Sequence, residues 1–401
     1  MGLSLPIPAW LQHPERASGA LTVAAMLAAF AMVNSPLRPL YQLVHHTPVV
    51  LRVGALLVEK PLILWINEGL MVFFFLLVAL EIKREVLEGH LASPARVALP
   101  ALAALGGMLA PAAIYLLFTW GDAAAARGWA IPTATDTVLA LAALNVLGAR
   151  VPAAARTFLL ALAIFDDLGA IVILAALFTQ SLSVPSLLVA AGALLVLAAL
   201  NRFGVTRTSA YVAAGIALWL AVLESGVHAT LAGFLIGLAV PLRTDGRRPS
   251  PLRAAEHGLR PWVALGIVPL FAFFNAGVRL LDMPPGELSA AIALGAALAL
   301  IMGKPAGILG ASWVSVRLGL AQMPHGVRWP HLAGASLLAG IGFTMSLFFA
   351  GLAFGTSDAL ALSAKIGILT GSVISAALGI AFLAAVAAGR VELHEHDNEA
   401  K

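Results

Sequence analysis

Apolar residues in this chain come in long unbroken runs, without the two-residue alternation that marks a half-buried strand. A helix needs about 20 such residues to cross the roughly 30 Å apolar core of a bilayer. On that measure the sequence predicts twelve spans, at 15–34, 62–86, 97–119, 125–147, 153–178, 185–200, 208–222, 226–241, 258–279, 288–315, 331–353 and 359–388. The eighth is short and the fourth is interrupted. The predicted fold class is an all-α polytopic membrane protein, read as one integral membrane domain over 1–401 with a tail at 389–401.

Composition agrees. Hydrophobic residues make up 61% of the chain and charged residues 11%, against roughly 45–50% and about 25% in soluble domains. Mean hydropathy is +0.95. A soluble enzyme, a secreted domain and a nucleic-acid binder are all outside this class. There is no cysteine, so thiol catalysis, disulfides and thiolate metal sites are excluded. No basic n-region precedes the first span, so no cleavable signal is expected.

Basic residues set the orientation. The even-numbered connections carry Lys83, Arg84, Arg96, Arg150, Arg156, Arg202, Arg207, Arg243, Arg247, Arg248, Arg253, Arg260, Arg317 and Arg328. The odd-numbered ones carry Arg38, Arg52, Lys60, Arg127 and Arg279. This places both termini in the cytoplasm and explains the pI near 9.8 without an acidic partner. The long outer connection, 35–61, holds a β-branched stretch from Val49 to Val58 with Gly54 placed for a turn. It reads either as a small β-hairpin or as an apolar loop on the headgroups.

Charges inside spans are costly and mark function by default. The candidates are Glu68, Asp136, Asp166, Asp167, His228, Lys304 and Lys365. Asp166 and Asp167 lie side by side in an otherwise apolar run. Successive helical residues point about 100° apart, so the two carboxylates face different neighbours while lining one cavity. Like charges buried together resist double ionisation, which lets the pair trade protons near physiological pH. Asp136 lies beside Pro132 among Thr133, Thr135 and Thr137. A broken helix there frees carbonyl oxygens suited to a hard cation such as Na⁺. A second soft segment, Gly340, Gly342, Thr344 and Ser346, lies in the eleventh span. Lys304 in the tenth span needs a carboxylate partner, and Asp166 or Asp167 is the natural one.

A further cluster closes the second span. Glu81, Arg84, Glu85 and Glu88 share a helical face, and Arg253, Glu256 and His257 open the ninth span. The reading is either a pH-sensing or cation-funnelling mouth, or a solvated charged face.

Taken together, the residues ATDT at 134–137, FDDLGA at 165–170, SGVHATLAG at 225–233, PLFAFFNAG at 269–277, GKPAGI at 303–308 and GIGFTMS at 340–346 resemble the NhaA-type sodium/proton antiporters of bacterial inner membranes. The resemblance is collinear over nearly the whole chain. This family is itself a standing example of inverted repeats with broken helices. The resemblance implies twelve helices, with the fourth and eleventh unwound and crossing at mid-membrane. It assigns Asp166, Asp167, Asp136 and Thr135 to the cation and proton site, with Lys304 and Asp136 compensating helix-end charges and Lys304 salt-bridged to Asp166 when protons are released. It assigns Glu81, Arg84, Glu85, Arg253, Glu256, His257 and His228 to the pH response, and Gly340, Gly342, Thr344 and Ser346 to the unwound segment. The implied activity is electrogenic, pH-regulated exchange of Na⁺ or Li⁺ for H⁺ in the inner membrane. The implied state is a homodimer joined through a periplasmic hairpin at 48–60; no cofactor, enzymatic activity or nucleic-acid partner is implied. Two positions depart from the family pattern: Glu68, where aspartate is usual, and Arg260, where histidine is common.

Three rival readings follow from the residues alone. They are a passive cation channel or a pH or sodium sensor, an intramembrane aspartyl protease, and an organic-anion symporter. The absence of a GxGD setting weighs against the second, and the paired acids weigh against the third.

Overall fold

In the computed structural model, residues 14–53, 56–89, 94–179, 182–242, 250–279, 288–355 and 358–399 are described. Gly54, His90, Arg243, Arg247 and Arg248, and the last two tail residues, lie outside them. The helices are α1 (Pro14–Val33), α2 (Arg38–His46), α3 (Leu62–Glu88), α4 (Pro94–Phe118), α5 (Ala123–Thr133), α6 (Thr137–Leu147), α7 (Ala153–Leu177), α8 (Val184–Arg202) and α9 (Thr208–Leu223). They continue with α10 (Thr230–Ala239), α11 (Pro251–Asn275), α12 (Ala290–Arg317), α13 (Trp329–Ala339), α14 (Phe343–Phe354) and α15 (Asp358–Glu399). Seven of these are long and apolar enough to cross a membrane, or up to ten spans if each bent pair counts as one, and two shorter apolar helices are α9 and α10.

Several boundaries differ from the sequence expectation. The helix expected from 258 begins at Pro251, because Ser250 caps it by accepting the Arg253 N–H at 3.2 Å and proline suits the first turn. That helix ends at Asn275, four residues short of the expected 279. Pro132 does not itself break the fourth segment. It is tolerated inside a 3₁₀ turn at Arg127–Thr133, and the gap falls at 134–136. The last helix runs on through Glu399, past the expected 388. The connection 35–61 is not all loop or hairpin. It begins with α2, turned 112° from α1, before two antiparallel strands, β1 (Pro48–Val53) and β2 (Leu56–Pro61), pair Val49 with Lys60 and Leu51 with Val58.

The chain divides into two compact units. One combines Met1–Gly89 with Ile171–Arg279 and the other His90–Ala170 with Leu280–Lys401. In the first unit α3 packs along α10, α11 and the hairpin. Trp65 Nε1 donates to Val49 O at 3.1 Å, and Lys60 Nζ lies 2.5 Å from Glu68 Oε2, so the hairpin is fastened to a π-turn at Trp65–Leu70. In the second unit α4 and α12 pack so closely that a Cβ on Gly106 or Gly307 would strike the other residue's carbonyl oxygen. This is the close approach that small residues allow between membrane helices. It presses α12, with Lys304, into the unit. Just ahead of Lys304 a π-turn occupies Ala299–Gly303, where Pro305 supplies no N–H to continue the ordinary helical ladder.

Candidate functional site

The second unit gathers two helix breaks and one buried ion pair. Both breaks occur where a polar residue takes over backbone groups that a helix would otherwise satisfy internally. Between α5 and α6, Asp136 caps α6: its Oδ1 accepts the Leu139 N–H at 3.0 Å. Its other oxygen, Oδ2, accepts the N–H of Thr344 at 3.0 Å and the Thr344 hydroxyl at 2.6 Å. Thr344 lies in the first turn of α14, which follows the second break at Gly340–Gly342. One carboxylate therefore serves two helix N-termini, where the helix dipole favours negative charge.

The carbonyl ends are satisfied in turn. The Asp136 N–H donates to Ile341 O at 2.6 Å. Ser346 Oγ donates to Ile131 O at 2.7 Å, and Thr135 Oγ1 lies 2.9 Å from Ala339 O. Gly340 is required at the break, because a Cβ there would come within 2.5 Å of Leu300 O. Gly342 is similarly crowded by Ser346 Oγ and Leu300.

Asp166, on α7, faces this junction. Its Oδ2 lies 2.7 Å from Lys304 Nζ and 2.6 Å from Thr135 Oγ1. The Thr135 hydroxyl has one proton, so it donates either to Asp166 or to Ala339 O, and the choice can follow the charge on the aspartate. Lys304 also donates to Thr133 O, at the carbonyl end of α5. Both charged side chains are fully buried. Asp166 Oδ1, also buried, accepts no hydrogen bond among the described residues. Asp167 follows on the same helix, buried at 7% exposure, and its charge also acts on the Lys304 ammonium. In a low-dielectric interior an ammonium and one carboxylate neutralise each other, and the second acid leaves the site negative. Thr133 is buried here, while Thr137 lies one residue past Asp136, and its buried Oγ1 has no hydrogen bond among the described residues. Such a cluster offers oxygen ligands to a monovalent cation and a place for protons.

The first unit holds the other group of expected residues. Arg84 reaches Glu85 and Glu256, both at 2.9 Å. Arg260 reaches Glu81 at 2.8 Å and Glu256 at 3.2 Å. Arg253 pairs with Glu88. The end of α3 is thus tied to the start of α11 by alternating charges, with Glu85 and Glu256 buried and the arginines reaching outward. His257, on the same helix, is exposed. His228 is not part of this network. It precedes α10, with Nδ1 2.7 Å from Thr230 Oγ1, and faces the charges of Glu68 and Lys60. Lys365 is half-buried on α15.

Sequence reasoning did not single out Lys83 or Asn201. Lys83 Nζ donates to Leu238 O at 2.7 Å and Val240 O at 2.6 Å, and Asn201 Nδ2 donates to Ala239 O at 2.5 Å. Three successive carbonyls at the end of α10 are thereby taken by side chains from two other helices. The signal was present in the shortness of the eighth span, since a ten-residue helix is only about 15 Å long.

The family model described as "Na+/H+ antiporter 1" matches residues 10–383. Among curated relatives, the Na(+)/H(+) antiporter NhaA of Rhodospirillum rubrum is 52% identical over 371 residues, covering 90% of this chain and 93% of that protein. The protein of the same name from Pseudomonas fluorescens strain Pf-5 is 49% identical, covering 92% and 94%. That of Yersinia pseudotuberculosis is 49% identical, covering 94% and 95%. The match runs through both helix breaks, the aspartate pair and Lys304, and the chain therefore belongs to the Na+/H+ antiporter 1 family of membrane transporters.

Proposed function

We propose that this protein is an electrogenic, pH-regulated antiporter that moves Na⁺ or Li⁺ out of the cytoplasm in exchange for protons. The observation that carries this reading is the buried site itself: Asp166 bonded through one oxygen to Lys304 and Thr135 with its other oxygen bare, and Asp167 beside it. Cation binding needs ionised carboxylates, and protonation expels the cation, so competition for the same oxygens couples the two flows. The Lys304 ammonium holds Asp166 while no cation is bound, and an arriving cation must displace it. Should more protons than cations move per turnover, each cycle carries charge. One elementary charge is worth about 2.3 kcal/mol per 100 mV, so the membrane potential drives sodium extrusion.

The same reading takes the molecule as twelve spans with inverted repeats, in which α5–α6 and α13–α14 are interrupted spans crossing at mid-membrane. Basic connections orient both termini to the cytoplasm of the inner membrane. The β1–β2 hairpin then faces the periplasm and joins two copies in a homodimer. The ion-paired ends of α3 and α11 form the pH-responsive mouth, with His228 modulating it from the other end of α10.

The test is proton movement in everted vesicles, followed with a pH-gradient dye as NaCl, LiCl or KCl is added across pH 6.5–8.5. Collapse of the gradient by Na⁺ and Li⁺, absent with K⁺ and absent in Asp166→Asn and Asp167→Asn, is the expected result. Robust exchange in either variant would sink the mechanism. No response to any cation would move the function to a passive channel or sensor of the same fold.

A further inference from the structure

Helix α2 divides its surface three ways. Tyr41 is buried, and its hydroxyl reaches Phe273 O at 2.8 Å and Phe274 O at 3.2 Å. Burial pushes the Tyr41 phenol above its ordinary range, so it stays a donor at any accessible pH. The ring of His45 stacks on Phe274 with centroids 5.0 Å apart. With 100° per residue, Leu40 sits about 100° to one side of Tyr41 and Gln42 about 100° to the other. Leu37 and Leu43 extend the leucine side, and His46 the polar side. The leucines are 54%, 50% and 66% exposed at positions 37, 40 and 43. Gln42 and His46 are exposed as well.

An isolated exposed leucine needs no explanation, but three on one arc do, two in a nine-residue helix and the third, Leu37, at its N-cap. The direction of the helix supplies one. With α1 taken as crossing the bilayer, a helix turned 112° from it runs nearer the membrane plane than the membrane normal. In that attitude one side can face protein, one acyl chains and one water. We propose that α2 is an interfacial anchor whose Leu37, Leu40 and Leu43 insert into the headgroup–acyl boundary of the lipid bilayer. Amphipathic helices lying in the interface bury their apolar face about 5–10 Å deep. The anchor holds the hairpin at the membrane surface, because the chain passes directly from Thr47 into β1 and Thr47 O accepts the Leu62 N–H at 2.9 Å. It rests on the multi-pass reading alone and not on the exchange mechanism.

The absence of cysteine makes the test direct. Single variants Leu40→Cys, Leu43→Cys, Gln42→Cys and His46→Cys are spin-labelled and reconstituted in phosphatidylethanolamine–phosphatidylglycerol vesicles. Collision with oxygen is then compared with collision with a water-soluble nickel chelate. The expected result is oxygen-rich, nickel-poor labels at 40 and 43, and a several-fold reversed ratio at 42 and 46. Nickel access at 40 and 43 would overturn the proposal, placing the helix in water. So would shielding from both reagents with spin–spin broadening, which would mean that a second copy covers the leucines. Leu37→Cys repeats the test should either leucine variant fail to fold. Absence of cation-dependent proton movement in the unsubstituted protein, with the labels still lipid-facing, would count against the exchange reading and leave the anchor standing.

Discussion

Thr344 gives both its amide N–H and its hydroxyl to the same carboxylate oxygen of Asp136, 208 residues earlier in the chain. The other oxygen of Asp136 caps α6. The two helix breaks are therefore not independent. Each helix start depends on the same side chain, and the hydroxyls of Thr135 and Ser346 complete the joint by serving carbonyls of the opposite segment.

Removing that carboxylate should loosen both breaks together. At about 1 kcal/mol per lost cap, Asp136→Ala should cost roughly 2 kcal/mol of stability, and Asp136→Asn less, because the amide keeps one acceptor. Thermal melting of the purified protein in detergent measures the difference. A melt of Asp136→Ala unchanged from the parent would show that water or other groups already satisfy these termini.

The Lys304–Asp166 pair should behave as a buried charge pair does. Deleting one partner leaves a bare charge in an apolar interior, typically costing about 3–5 kcal/mol. Lys304→Met and Asp166→Leu should each lower the melting temperature strongly. The double variant should recover much of that loss, while transporting nothing. A double-mutant cycle on the melts reads the coupling, and additivity of the two losses would refute it.

Arg260 bridges Glu81 and Glu256 at a partly exposed site, where such pairs contribute only about 0–1 kcal/mol. Its substitution should hardly change stability. Arginine stays charged at every physiological pH, so the joint it makes does not open by its own titration. Arg260→His would make it titratable: an imidazolium holds both acids below about pH 6.5 and lets go above. The pH profile of sodium-dependent proton movement should then gain a step near that pH, which Arg260→Lys should lack. Superimposable profiles for all three proteins would separate this network from regulation.

Lys83 and Asn201 close the end of α10. Leaving those carbonyls without donors costs about 1–3 kcal/mol where water cannot replace them. Lys83→Met should speed amide exchange in the last turn of α10, and Asn201→Ala should add to it. Lys83→Arg should largely restore protection, since it still donates to carbonyls. Protection unchanged in Lys83→Met would mean that the short helix needs no outside donor.

Much of the molecule was legible from the chain. The apolar runs located the helices to within a few residues, apart from the ninth, whose start Ser250 and Pro251 set seven residues early, and the last, which runs eleven residues past its expected end. The acids standing in those runs named the residues that meet in the second unit. The pairing was less legible. Lys304 called for a carboxylate; the residues alone left Asp166 and Asp167 open, the resemblance implied Asp166, and the folded chain has Lys304 on an oxygen of Asp166. Helix α2 was missed because nine residues of mixed polarity carry no span signal, and their amphipathic pattern means little until the direction of the helix is known.

By itself, then, the sequence determined the class of environment, the positions of the helices and the set of charges that had to find partners. Each follows from a cost paid locally: an apolar run in water, or a charge in hydrocarbon, is unfavourable whatever else the chain does. The tertiary structure alone decided which groups relieve which costs. Asp136 reaching across to cap the helix that begins with Phe343, Thr135 poised between Asp166 and Ala339, and Lys83 closing a helix on another part of its unit all join residues 31 to 208 positions apart. Hydrogen bonds are short-ranged and directional, so their partners are fixed by where the folded backbone passes, and nothing local in the chain encodes that.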